Sequence, residues 1–149
     1  MRNFEFVKRV KELTLDLSKI SLPKRNTKNS AGYDFYALKD VDLPSGKIVY
    51  VKTGVKAYME DNEFLMLCNR SSNPKKKDLL LINGVGIVDS DYVDNEENEG
   101  EIAFAFMSIN GTTIRTGEKI GQGIFMKYFK TDDDIADSIR NGGFGSTDK

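Results

Sequence analysis

Two aspartates two residues apart, Asp89 and Asp91, close the stretch NGVGIVDSDY from Asn83 to Tyr92. An aspartate ending a short apolar run is a candidate general base when a pocket surrounds it. The glycines before it, Gly84 and Gly86, let a backbone approach another backbone or a flat ligand, because no Cβ intervenes. The same stretch also reads as a β-hairpin with a polar turn. The chain contains no histidine. This excludes Ser-His-Asp and Cys-His catalysis and the usual zinc sites. Acid–base work falls to Asp, Glu, Lys or Tyr, and any metal is a hard, oxygen-bound ion such as Mg²⁺. The single cysteine, Cys68, lies in the apolar run FLMLC and reads as a buried thiol, so no intrachain disulfide framework exists.

The elements that must position these residues are short and β-like. A chain of 149 residues predicts one domain, spanning 1–149, with one core. Apolar content of 39% and charged content of 30% fit a soluble globular protein. A net charge of −1 gives no global field for nucleic acid, although phosphate sites are local. No apolar run is long enough to span a bilayer and no signal-peptide pattern opens the chain, so the expectation is no membrane association and a cytoplasmic location.

The segment Met1–Ile20 reads as a strand and then an undefined connection. LPKRNTKNSAG, from Leu22, is turn chemistry. YDFYAL, IVYVKTGVKAYM with a turn at Gly54, EFLMLCNR, LLLINGVGIV and EIAFAFMSI are strand-like pieces cut by Gly, Pro and Asn, and Asn110-Gly111 is a hairpin-type pair. This punctuation predicts an all-β sandwich or barrel. A short helix fits SNPKKKDLL, with Ser72 as its cap. The end of the chain, about 131–149, is acidic and then glycine-rich, and reads as a mobile arm. A lone aromatic there, Phe144, has no folding role and suits an arm that closes over a ligand.

Five stretches stand in order: AGYDFYA (Ala31–Ala37), NRSS (Asn69–Ser72), NGVGIVDSDY (Asn83–Tyr92), GEKIGQGIF (Gly117–Phe125) and GGFGST (Gly142–Thr147). Together they resemble the five motifs of the trimeric dUTPases, most closely those of Gram-positive bacteria and their phages. The resemblance implies a jelly-roll-like β fold and a homotrimer whose sites draw the Asp89 stretch, the RSS and Gln motifs, and the arm from three subunits. It implies Mg²⁺-dependent hydrolysis of dUTP to dUMP and pyrophosphate.

By the same resemblance, Asp89 is the general base that activates water. Asn83 and the backbone from Gly84 to Val88, including Gly86 and Ile87, read the uracil edge. Tyr92 packs under the deoxyribose and rejects a 2′-OH. Arg70, Ser71, Ser72 and Gln122 hold phosphates, and Asp34 reaches Mg²⁺ through water while the triphosphate holds the metal itself. Phe144 stacks over the base, and Ser146 and Thr147 bond the terminal phosphate. Arg140 corresponds to an arginine set slightly further upstream in the family, so its reach to the γ-phosphate is open. Asp91 reads as turn or surface chemistry, and Lys75, Lys76 and Lys77 as a solvated charge run. The acidic extension VDNEENE, carrying Asp94, Glu96, Glu97 and Glu99, departs from the family pattern. It reads as a solvated loop; a metal site and a surface for a protein partner are the alternatives. Two other functions compete: the dCTP deaminases share the fold, and a dUTP-binding regulator would use the 94–99 insert to contact a protein.

Overall fold

The alternating apolar residues make strands the main regular structure, and a computed structural model describes residues 1–13 and 18–145. The strands are β1 (Asn3–Phe6), β2 (Tyr33–Tyr36), β3 (Val41–Leu43), β4 (Ile48–Lys52), β5 (Val55–Tyr58), β6 (Glu63–Cys68), β7 (Leu79–Leu81), β8 (Gly86–Asp89), β9 (Ala103–Ser108), β10 (Thr112–Ile114) and β11 (Lys119–Lys127). Two short helices, α1 (Lys8–Glu12) and α2 (Asn73–Lys77), interrupt them. The all-β expectation holds.

The pairing is not that of hairpins. The sheets run β2-β11-β6-β8, β4-β9-β7, β1-β5 and β10-β3, so among the described residues no two consecutive strands pair. Each tight turn therefore carries the chain from one sheet to another, as a jelly-roll-like sandwich requires. This corrects two expectations. Asn110-Gly111 joins β9 to β10, yet β9 pairs with β4 and β7 while β10 pairs with β3. NGVGIVDSDY likewise links β7 in one sheet to β8 in another. Local turn chemistry marks where the chain reverses; burial of each strand's apolar face decides which strand lies beside it.

The core forms where the two larger sheets face each other. On β6, Leu65 and Leu67 turn inward while Phe64 and Met66 are half-buried. Phe35 of β2 meets Phe104 of β9 edge-on at 5.4 Å between ring centroids, and Phe104 stacks on Phe106 at 5.7 Å. A Cβ at Gly121 of β11 would lie 2.3 Å from the Phe104 ring, so only glycine admits this approach.

The amino-terminal stretch is better defined than its pattern suggested. β1 pairs with β5, and α1 buries Val10 beside Val7, Ile20 and Leu38. Arg2 donates from Nε to both carboxylate oxygens of buried Glu63, at 3.0 and 2.8 Å. That hydrogen bonding holds the Glu63 carboxyl below its ordinary range. α2 begins where expected, with Pro74 in its first turn, but the Ser72 side chain makes no capping bond. Asn73 is the working residue there, donating to Ile120 O at 2.9 Å and Asn69 Oδ1 at 2.7 Å. Cys68 is only half-buried. No helix among the described residues is long and apolar enough to cross a membrane.

Candidate active site

β8 is the last strand of its sheet, and its outer edge has no strand partner among the described residues. Its inner edge is registered on β6, Gly86 opposite Leu67 and Asp89 opposite Phe64. A row of main-chain donors and acceptors thus lies open along Gly86, Ile87 and Val88, a template for a planar ligand with its own alternating groups. Val88 turns its side chain into the core and Ile87 turns outward. The approach to β8 is the exposed turn at Asn83, where Gly84 adopts φ +73° and donates to Leu81 O at 3.0 Å. A side chain at Gly84 would be strained in that conformation.

Asp89 ends β8 with half its side chain exposed, and Ser90–Tyr92 follow as one 3-10 turn. That turn swings Tyr92 inward to 4% exposure. Its hydroxyl donates to Glu101 O at 3.1 Å and accepts from Asn98 Nδ2 at 2.8 Å. Burial raises the Tyr92 phenol above its ordinary value.

The arm, which the resemblance sends to a site of another subunit, lies in this single chain on its own surface. Arg140 donates from one guanidinium nitrogen to Asp89 Oδ2 at 2.7 Å and from Nε to Asp91 Oδ1 at 2.9 Å. The guanidinium carbon stands 5.8 Å from the centre of the Tyr92 ring. Phe144 meets Tyr92 at 5.6 Å and Tyr50 at 6.5 Å between centroids. Asp91, read from the sequence as turn or surface chemistry, is thus half of the seat for Arg140. Ser146 and Thr147 lie outside the described residues. A cavity of about 190 Å³ remains between Ile87, Val88, Asp89, Tyr92, Arg140 and Phe144. That is below the roughly 300 Å³ at which small-molecule sites begin, so a nucleotide needs the arm to move or more of the site to be supplied.

The residues expected from the sequence to hold phosphates form a second group. Asp34 and Gln122 sit opposite each other on β2 and β11. Gln122 Nε2 donates to Asn69 O at 3.1 Å. A Cβ at Gly32 would lie 2.0 Å from Gln122 Oε1, so Gly32 makes room for that amide. Arg70 donates to Lys119 O at 3.2 Å, and its Nε stands 4.0 Å from Asp34 Oδ1. Lys119 Nζ is 2.9 Å from Asp34 Oδ2. Ser71 is exposed and Ser72 half-buried on the loop beside them.

Lys119 was missed in the sequence because residues three apart on a regular strand face opposite ways. A register shift between Lys119 and Gly121 adds one residue and brings Lys119 and Gln122 to one face. Lys77, taken as solvated, pairs with Glu118 at 2.5 Å.

The acidic extension is only in part a solvated loop: Glu96 and Glu97 are exposed, but Asp94 and Glu99 are tied to the fold. Lys56 is buried, and its ammonium pairs with Asp94 and, at 3.1 Å, with Glu99. Tyr58 donates to Asp94 Oδ2 at 2.7 Å, and the Lys8 amide donates to Glu99 at 3.0 Å. Burial alone would lower the Lys56 ammonium, but its bonds to Asp94, Tyr58 and Glu99 outweigh this and hold it above its ordinary value. Among the described residues no group of three or more carboxylate or thiol side chains is placed to hold an ion.

Along β6 the two groups lie at opposite ends. Gln122 is registered on Cys68 and Asp89 on Phe64, four residues apart, or roughly 13 Å along a strand.

Comparison with known proteins joins these observations. The dUTPase family profile matches residues 18–148. The deoxyuridine 5'-triphosphate nucleotidohydrolase of Lactococcus lactis is 43% identical, over 99% of this chain and 97% of its own. The crystal structure of the dUTPase from Streptococcus mutans superposes with a TM-score of 0.78 at 41% identity, covering 87% of this chain and 98% of that one. The D95N dUTPase of Staphylococcus aureus phage phi11, in which coordination of a structural Mg(II) ion is described, shares the fold with a TM-score of 0.72 at 16% identity, covering 93% of this chain and 97% of its own. By profile, full-length identity and fold, this chain belongs to the dUTPase family.

Proposed function

We propose that the chain hydrolyses dUTP to dUMP and pyrophosphate, with Asp89 as the general base, at a site completed by further copies of itself. The observation that carries this reading is the placing of Asp89 at the end of an open strand edge, directly before buried Tyr92. The uracil docks on the main chain of Gly86–Val88 and the Asn83 turn. Cytosine carries an amine where uracil has O4, so it would set donor against donor, and unpaired buried groups make such discrimination steep. Tyr92 fills the space of a ribose 2′-OH.

Asp89 takes a proton from water as its oxygen attacks the α-phosphorus. The bond to the bridging oxygen breaks and pyrophosphate leaves. Such base catalysis contributes on the order of 10²–10⁴ in rate. Arg140 exchanges Asp89 and Asp91 for a phosphate as the nucleotide enters, which frees the base, while Phe144 covers the uracil.

Direction along the strand argues for a site shared between copies of the chain, as the expected homotrimer would provide. With the base at Gly86–Val88 and the α-phosphate at Asp89, the triphosphate runs away from this chain's own Gln122 and Arg70, which lie off the far end of β6. The phosphate grip of Arg70, Ser71, Ser72, Gln122 and Lys119 must then come from a neighbouring copy. The donor set suits Mg²⁺ carried by the nucleotide: Asp34, already flanked by Lys119 and Arg70, would meet the ion through its water shell. When bound, Mg²⁺ neutralises phosphate charge and orients the α-phosphate for in-line attack. Pyrophosphate release from dUTP, set against dCTP and UTP, is the direct test. Asp89→Asn should lower kcat by about 10²–10⁴; hydrolysis at the parent rate would end this mechanism.

A further inference from the structure

The group of residues expected to hold phosphates has an acid at its centre. The Asp34 carboxylate, with only 15% of its side chain exposed, stands 2.9 Å from Lys119 Nζ and 4.0 Å from Arg70 Nε. Charges in a partly enclosed site are weakly screened, so a bare carboxylate there repels an incoming polyphosphate.

Each member of the group is held from a second side. Lys119 Nζ also donates to Asn26 Oδ1 at 3.3 Å, and Arg70 donates to Lys119 O at 3.2 Å. The Asp34 main chain is fixed against Lys24, its amide donating to Lys24 O at 2.9 Å. The Lys24 ammonium stands instead over the Tyr36 ring, 5.8 Å from its centre. The two cations nearest Asp34 are thus the two that a phosphate needs, and the acid already occupies both.

We propose that Asp34 makes this group a gate for metal-bound polyphosphate: it holds Lys119 and Arg70 until a divalent cation arrives with the nucleotide. To grip phosphate, both cations must turn away from Asp34. Without a divalent ion, this leaves an unpaired carboxylate beside the phosphates, which costs the ion pairs and adds a repulsion. A hydrated Mg²⁺ on the nucleotide replaces the lost positive charge through its water shell. Asp34 thereby sets which form of the substrate binds, metal-bound over metal-free, and Lys119 is the positioning residue through which it does so. This deepens the dUTP-hydrolase reading and rests on it for the identity of the nucleotide, but the gate itself is read by binding alone.

The test is isothermal titration calorimetry on the full chain. The probes are inorganic tripolyphosphate and a non-hydrolysable dUTP analogue, each with Mg²⁺ and with EDTA at matched ionic strength. Asp34→Asn keeps the shape of the side chain and removes its charge. It should tighten metal-free binding of both probes by about tenfold, the lower end for a hydrogen bond to a charged group. Binding with Mg²⁺ should be equal or weaker, so the preference for the metal-bound form collapses. Lys119→Gln leaves the carboxylate less neutralised and should widen that preference. Gln122→Ala removes an uncharged donor and should weaken both forms alike, with the parent's preference kept. An unchanged preference in both Asp34→Asn and Lys119→Gln would overturn the gate, as would a parent that binds the probes equally with and without Mg²⁺ or does not bind them. A parent that prefers the metal-bound probes but releases no pyrophosphate from dUTP would keep the gate and overturn the hydrolase reading.

Discussion

Tyr92→Phe separates two tasks that one side chain performs. The hydroxyl is an internal strut: it donates to Glu101 O and accepts from Asn98 Nδ2. The ring is the platform, in contact with Phe144 and Arg140. Removing the oxygen leaves the ring in place and takes a partner from each of two largely enclosed groups. At about 0.5–1.5 kcal/mol per bond, the loss is about 1–3 kcal/mol. One kcal/mol moves Tm by about 2–4 °C in a chain of this length, so a fall of about 2–12 °C is expected. Circular-dichroism melts must be run at matched protein concentration, because association makes Tm concentration-dependent. The preference for dUTP over UTP, as a ratio of kcat/KM, should survive in Tyr92→Phe and collapse in Tyr92→Ala. An unchanged Tm would refute the strut. Loss of discrimination in Tyr92→Phe as deep as in Tyr92→Ala would show that the hydroxyl, not the ring, senses the sugar.

Other perturbations test other parts of the site. Gly32→Ala places a methyl where Gln122 Oε1 stands; displacing that amide should raise KM for dUTP about 5-fold, roughly the 1 kcal/mol of one hydrogen bond, with little change in Tm. Lys56→Met removes the cation between Asp94 and Glu99 and should destabilise by about 1–3 kcal/mol in urea unfolding, below the 3–5 kcal/mol of a fully buried pair because both acids are partly solvated. The same pair predicts a pH profile. The Lys8 amide, followed by Lys56, holds Glu99 below its ordinary 4.5. Asp94 is held below its ordinary 3.8 despite burial, by Lys56 and Tyr58. Folded values below unfolded ones mean stability that is complete above these values and is lost as pH falls through the lowered ones. Lys56 lies above its ordinary 10.5, so its contribution is complete below that pH and is lost as pH rises beyond it. The parent's advantage over Lys56→Met should therefore be flat from about pH 5 to 9 and shrink below about pH 4; an advantage that grew on acidification would refute the assignment.

Candidate site residues were legible from residue types and from the five ordered motifs. A histidine-free chain with Asp89 after an apolar run, a serine-arginine loop, a glutamine between glycines and an aromatic in a glycine-rich tail pointed to the groups proposed as base, anion grip and cover. Each of those signals is local, set by what one side chain or one turn can do. The tertiary structure decided what depends on residues distant in sequence. It turned the supposed hairpin at Asn83–Tyr92 into a crossing between sheets, because the partner of β8 is chosen by burial against β6 and not by the turn. It brought Lys119 beside Asp34 through a register shift that no periodicity reveals. It gave Asp91 a role by folding Arg140 back across 49 residues. It also tied two acids of the extension, Asp94 and Glu99, to the fold, because the lysine that pairs with them lies 38 residues upstream of Asp94 and is buried. A charge run shows in a sequence as charge alone; whether it is solvated or structural depends on what the fold sets opposite it.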